Sequence, residues 1–314
     1  MQARLIGLDW GTSSLRAYRF GAGGRVLETR ERPLGIMQVP SGGFDQALDE
    51  ACGDWRRDEP GLPLIACGMI GSAQGWHEVP YCLAPASAGD LAQRMLAVSL
   101  QGGGALHIVP GVLQQGALPN VMRGEETQVL GLLQAFANSA DRQPPLIGLP
   151  GTHSKWVRAD EGCIRHFDTF MTGELYAAAC AHTILGRTQQ RPDSFQAHAF
   201  DRGVAVATSA EGRLGVLATL FSARTLGLTG ALAPTEQPDY LSGLMIGHEI
   251  AALAGAVGKS GAPLPGIVLI GSAPLCQRYQ RALHACGFAH VQVAEQATER
   301  GLWLLATTAG LVQP

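Results

Sequence analysis

Two short segments of this 314-residue chain combine an apolar strand with small, donor-rich turn residues. In the first, the apolar run ends at Asp9. Trp10 then leads into Gly11-Thr12-Ser13-Ser14, and Leu15-Arg16-Ala17-Tyr18 returns as an alternating strand. A carboxylate at a strand end is a hard oxygen ligand for a divalent cation or its water shell. Glycine, threonine and serine beside it offer backbone N–H groups and hydroxyls at close range to phosphate oxygens. The same composition also serves an ordinary hairpin turn. In the second segment, Pro145-Leu146-Ile147-Gly148-Leu149 leads into Gly151-Thr152-His153-Ser154, and Lys155-Trp156-Val157 returns. Both hairpins continue alike, through Gly21-Ala22-Gly23-Gly24 to a third strand over 25–31, and through Ala159-Asp160-Glu161-Gly162 to one over 163–169. Gly11 and Gly151 lie 140 residues apart. That separation is too long for a solenoid period and suits a duplicated domain.

The elements that must carry these turns alternate in type. Helices are predicted over 44–57, 91–100, 127–137, 240–257 and 298–311, with a mostly helical region over 173–232 that loops near 191–194. Strands are predicted over 64–67, 105–109, 266–270 and 291–293, and the Gly/Ala/Pro-rich stretch 68–89 has no clear period. Residues 138–144 read as a polar linker. Strands alternating with helices, plus three-strand meanders, predict an α/β fold with mixed sheets. The 46% hydrophobic content suffices for two cores. A net charge of −3 gives no basic footprint for nucleic acid. The richest apolar stretch, 244–257, is interrupted by His248 and Glu249, which argues against a membrane span. Seven cysteines without C-x-x-C or metal spacing read as reduced core thiols, and the N-terminus lacks a signal-peptide pattern; a cytoplasmic protein is expected.

Six segments in one order, over essentially the whole length, resemble the bacterial 2-dehydro-3-deoxygalactonokinase family. They are Asp9-Trp10-Gly11-Thr12-Ser13-Ser14-Leu15-Arg16; Cys67-Gly68-Met69-Ile70-Gly71-Ser72 with Gly75-Trp76; Val121-Met122-Arg123-Gly124-Glu125-Glu126-Thr127-Gln128; Pro150-Gly151-Thr152-His153-Ser154-Lys155-Trp156-Val157; Thr169-Phe170-Met171-Thr172-Gly173-Glu174-Leu175; and Leu241-Ser242-Gly243-Leu244-Met245-Ile246-Gly247. The resemblance implies ATP-dependent phosphorylation of the C6 hydroxyl of 2-keto-3-deoxy-D-galactonate. The wider superfamily of sugar kinases, heat-shock proteins and actin implies two ribonuclease-H-like domains, an actin-like ATPase fold, with a nucleotide held in an interdomain cleft that closes on substrate. The expected domains are 1–119 with 297–314, and 120–296.

Roles follow from that chemistry, which must neutralise a polyphosphate, align a hydroxyl and take up its proton. Asp9 is expected to orient Mg²⁺ through water. Gly11, Thr12 and Ser13 would donate to the phosphates from one side, and Gly151, Thr152 and Ser154 from the other. Lys155, one of only two lysines, would reach the transferred phosphoryl group as a point charge. Gly258-Lys259-Ser260 is not a phosphate loop, because the glycine required five residues earlier is Leu253. Glu125 or Glu126 would be the base, by likeness to the Gly-Glu-Glu element of exopolyphosphatases, with Asp168 and Glu174 as alternatives. Acids also gather in a first helical turn because of its dipole. For an anionic keto acid, Arg16 or Arg123 would bind the carboxylate, and Gly71, Ser72, Gln74 and Trp76 the hydroxyls. The superfamily places its adenosine loop at Gly271-Ser272. Gly243 and Gly247 serve either nucleotide approach or helix packing. Kinases of the gluconate epimer or of both epimers stay open, as do a phosphatase or polyphosphate hydrolase and a nucleotide-gated regulator on the same scaffold. Oligomeric state is not legible.

Overall fold

The computed structural model describes residues 2–137, 145–258 and 264–313. The predicted linker and Lys259 lie outside these residues. The chain forms two compact units, one of 1–144, 157–167 and 294–314, the other of 145–156 and 168–293.

In the first unit, β1 (Leu5–Trp10), β2 (Leu15–Phe20) and β3 (Val26–Arg32) form an antiparallel meander. Parallel to β1 on its other side runs β4 (Leu64–Cys67). β6 (Leu96–Ser99) and β7 (Ala105–Ile108) complete the order β3-β2-β1-β4-β7-β6. A small second sheet joins β5 (Cys82–Leu83), β8 (Val112–Gln114) and β9 (Asn120–Met122). Ile6, Leu8 and Trp10 share a buried cluster with Phe44, Leu48 and Trp55 of α1 (Phe44–Asp58). The opposite face is covered by α10 (Ala297–Thr308), which packs on β1 and β4 and against α3 (Glu125–Ala137). Burial on both faces explains why β1 is apolar without alternation. Asp9, one residue before Trp10, therefore emerges on the α3–α10 face.

The second unit carries the same plan. β10 (Leu146–Leu149), β11 (Ser154–Asp160), β12 (Cys163–Phe170), β13 (Ile267–Leu269) and β14 (Val291–Val293) stand in the order β12-β11-β10-β13-β14. This is the order β3-β2-β1-β4-β7 again, so the duplication read from the two hairpins extends to whole ribonuclease-H-like sheets. α4 (Thr172–His182), α5 (Ala197–Thr208), α6 (Val216–Thr219), α7 (Ser222–Leu228), α8 (Gln237–Val257) and α9 (Ala273–Ala285) provide its helices. At 21 residues α8 has the length and apolar composition of a bilayer span, yet it is the buried central helix of this unit. A Cβ on Gly243 would lie 2.0 Å from the Phe200 carbonyl oxygen, and one on Gly247 would lie 3.0 Å from Val204 Cα. Both glycines thus let α5 and α8 touch, which assigns them to helix packing.

Two expectations change. The helix predicted over 91–100 is instead α2 (Ala88–Gln93) followed by the edge strand β6. Ser87 and Asp90 form a capping box that starts the helix early, and pairing with β7 extends 96–99. The domain boundary expected at 119/120 falls inside a ladder, because β9 pairs with β8 and keeps 120–122 in the first unit.

Candidate active site

In the first unit, the ends of β1 and β4 and the start of α3 converge. Gly68 has φ of 96°, and a Cβ there would sit 2.7 Å from the Trp10 carbonyl oxygen. Gly124 has φ of 106° and packs directly on Gly68. Only glycine tolerates both the left-handed backbone and the close approach. These two residues bring the acids of α3 to the end of β1.

Asp9 lies opposite Arg16 on β2 and beside Cys67 on β4. Arg16 in turn lies opposite Glu31 on β3 and pairs with it at 3.3 Å. Burial pushes the Asp9 carboxyl up to about 6; Arg16 opposes this, while Glu125, Glu299 and Glu31 add to it. A partly exposed acid in so negative a setting suits a divalent cation, which would restore its ionised form. Thr12 and Ser13 are exposed in the turn beyond, and Gly11 N donates to the Ser14 carbonyl at 2.9 Å. Arg16 is half-exposed in this acidic row.

Arg123 is only 9% exposed. Its Nη2 donates to the Val79 carbonyl at 2.8 Å, and the guanidinium lies 4.4 Å above the Tyr81 ring. Nε and Nη1 are buried without an acceptor. Gly71 backs this arrangement, since a Cβ there would come within 3.0 Å of Nη1. A fixed, buried cation with unmet donors has the chemistry to receive a carboxylate. The other residues expected around it divide. Ser72 donates to the Met69 carbonyl at 2.7 Å and closes its own turn, while Gln74 is exposed. Trp76 stacks on Phe44 at 5.7 Å and meets Trp10 edge-on, so its ring belongs to the α1 core.

The paired glutamates also differ. Glu126 is fully buried, accepting from Gly124 N at 2.6 Å and from the Thr127 hydroxyl at 3.0 Å. Burial, with Glu125 beside it, pushes its carboxyl up to about 8. Its oxygens thus cap the start of α3. Glu125 is only partly buried and accepts from Arg123 N at 2.9 Å.

In the second unit, the turn after β10 lies beside the turn after β13, at the carboxyl ends of parallel strands where α/β sheets bind ligands. A Cβ on Gly271 would lie 3.3 Å from the Pro150 carbonyl oxygen. Gly271 and Ser272 are exposed ahead of α9, and space around the Gly151 Cβ position is open. A cavity of about 160 Å³ adjoins them, lined by Gly151, Tyr176, Ser242, Met245, Arg278 and Tyr279 among others. Thr152 is exposed, and its carbonyl accepts from Glu174 N at 2.9 Å. Glu174 pairs with His153, and Lys155 is 4% exposed with Nζ 3.5 Å from the His153 carbonyl oxygen. Ser154 departs from expectation. Its hydroxyl is buried and donates to Glu249, so it faces the core and not the turn.

Among the described residues no group of three or more His, Cys, Asp or Glu could enclose a metal. The donor set therefore fits an ion that keeps most of its water and leans on one carboxylate and on phosphate, as magnesium does. Sequence reasoning missed Tyr81 and the Val79 carbonyl, which hold Arg123, and Glu249 and Tyr279, which hold the second turn. Tyr81 had no motif to mark it, whereas Glu249 was visible as a lone acid in an apolar helix.

The model of the 2-keto-3-deoxy-galactonokinase family matches residues 9–305. The Rhizobium meliloti (strain 1021) protein named "Probable 2-dehydro-3-deoxygalactonokinase DgoK1" is 37% identical over 297 residues, 94% of either chain. The 2-dehydro-3-deoxygalactonokinase of Escherichia coli (strain K12) is 34% identical over 288 residues, 91% of either chain. A crystal structure of a Sinorhizobium meliloti protein of the same name superposes with a TM-score of 0.85 at 34% identity, covering 96% of this chain and 98% of that one. With both hairpin turns and the paired glutamates inside the matched region, the chain belongs to the 2-keto-3-deoxy-galactonokinase family.

Proposed function

We propose that this protein transfers the terminal phosphoryl group of ATP to the C6 hydroxyl of 2-keto-3-deoxy-D-galactonate, releasing ADP and the 6-phosphate. Family membership supports the reaction, and kinase relatives matching more than nine-tenths of the chain leave the hydrolase reading without support. The observation in the site that carries the substrate class is Arg123, a buried guanidinium whose Nε and Nη1 lack acceptors. It would take the keto acid's carboxylate and so fix one end of the molecule.

The remaining roles are these. Gly11, Thr12 and Ser13 of the first unit, and Gly151 and Thr152 of the second, donate to phosphate oxygens from backbone N–H groups and exposed hydroxyls. Gly271 and Ser272 border the adenosine. Lys155 offers its charge to the transferred group. Asp9 would hold Mg²⁺, which would supply charge neutralisation of the phosphates when bound with ATP. Glu125 Oε accepts the C6 hydroxyl proton as the new P–O bond forms; the bond from phosphorus to the ADP oxygen breaks in the same displacement. Glu126 is a poor base here, because its buried oxygens are occupied and it is largely protonated near neutral pH.

The test is ADP release with Mg-ATP and either 2-keto-3-deoxy-D-galactonate or its gluconate epimer. Turnover that depends on the galactonate acid is expected. Comparable rates on both epimers would keep the mechanism and widen the pocket. Phosphate release independent of either acid would refute the assignment.

A further inference from the structure

Glu249 is a buried acid with no assigned part in the chemistry. It is 3% exposed at the middle of α8, and no lysine or arginine pairs with it among the ion pairs of the described residues. Its carboxylate instead collects neutral donors from several elements. Ser154 Oγ is 2.9 Å from both oxygens, Trp156 Nε1 donates to Oε1 at 2.8 Å, and Tyr279 Oη donates to Oε2 at 2.8 Å. Thr172 lies close enough to favour the charged form of Glu249. Burying an acid without a cation is costly, and a core helix could hold a leucine there at no such cost. The arrangement gains something other than cohesion.

Trp156 belongs to the core, whereas the other groups around Glu249 lead to the candidate nucleotide site. Ser154 ends the turn that begins at Gly151, Thr172 starts α4, and Tyr279 projects from α9. Gly151, Thr172 and Tyr279 all line the 160 Å³ cavity, while Glu249 stands behind it. We propose that Glu249 is a positioning residue for the nucleotide: its carboxylate holds the Gly151–Ser154 turn and α9 in the one arrangement that receives ATP. This rests on the reading of that turn as the second phosphate site. It also explains why the hydroxyl of Ser154 points inward, since it serves the turn's placement and not the phosphate.

The experiment compares Glu249→Gln, Glu249→Leu, Tyr279→Phe and Gly151→Val with the wild type. The readouts are KM for ATP, KM for the keto acid, kcat, ADP binding by calorimetry and the melting temperature. Glutamine keeps one acceptor and can turn its amide toward a hydroxyl. It should raise KM for ATP and weaken ADP binding by about three- to tenfold, as expected for one or two lost hydrogen bonds. Leucine should exceed about tenfold, and Tyr279→Phe should give about threefold. KM for the keto acid should stay within about twofold in all three. A residue serving cohesion alone would lower the melting temperature and the active fraction without separating the two KM values. Unchanged ATP and ADP affinity in Glu249→Gln and Tyr279→Phe overturns the proposal. Gly151→Val adds its Cβ into open space, with nothing within 4 Å of that position, and would obstruct a phosphate; its melting temperature shows whether the variant folds. If that variant leaves ATP affinity unchanged, the turn is not a phosphate site, and the nucleotide reading falls together with the proposal.

Discussion

Replacing Arg123 by methionine should separate activity from stability, because the residue is poorly satisfied until an anion arrives. In the folded chain its favourable contacts are the bond to the Val79 carbonyl and the stacking on Tyr81. The stacking is worth about 0.5–2 kcal/mol. Against them stand two buried nitrogens without acceptors, each costing about 1–3 kcal/mol. These contributions nearly cancel, and methionine fills much of the volume, so the melting temperature should move by no more than about 5 °C in either direction. With the keto acid bound, the balance inverts. Removing one member of a buried guanidinium–carboxylate pair costs about 2–5 kcal/mol. At about 1.4 kcal/mol per decade, kcat/KM for the keto acid should fall by about 30-fold to several thousand-fold. KM for ATP should hardly change. Arg123→Lys keeps the charge but loses the planar fork and the stacking, and should recover only part of the loss. A coupled assay for ADP, run beside thermal unfolding, supplies both numbers. A folded methionine variant that loses less than about fivefold would show that the carboxylate is bound elsewhere, and the argument from unmet donors would fail.

The glutamate pair offers a contrast. Glu125→Gln should lower kcat by about 100-fold or more with both KM values nearly unchanged, as loss of a general base does; Glu126→Gln should keep most of its turnover. Glu126 is also expected to make stability depend on pH. Its folded carboxyl sits near 8 and its ordinary value is 4.5. Folding therefore takes up a proton between these values, and stability falls as pH rises from about 4.5 to about 8. Urea unfolding of Glu126→Gln should lack this fall, and curves that run parallel across the window would contradict it. Gly35→Ala should disturb the first turn, since a Cβ there would lie 2.3 Å from the backbone of Ser13. A loss of about 1–3 kcal/mol in stability and a raised KM for ATP are expected; an unaffected KM would mean that the turn does not touch phosphate.

The sequence by itself determined what depends on local pattern. Two apolar strands followed by Gly-Thr-x-Ser turns announced a duplication, and the sheets carry it through in matching strand order. The helices read over 44–57 and 240–257 and the strand over 64–67 were legible, because the first has an apolar stripe and the second is a long apolar run ended by glycine, and each matches an observed element closely. The segment 96–99 was not, since an edge strand takes its conformation from pairing with β7 and has no period of its own long enough to read. The site divides in the same way. Motifs could select Asp9, Arg123, Glu125, Glu126 and Ser154 as residue types, but they could not tell which polar groups were already engaged. That was decided by tertiary contacts: Glu249 turns Ser154 inward, and Gly124 with Thr127 consumes Glu126. Arg123 is buried beside a carbonyl and an aromatic ring with donors to spare. Spacing along the chain records what a residue can do. Whether its hydrogen bonds are spent on the fold or kept for a ligand depends on neighbours that the chain brings together only when it folds.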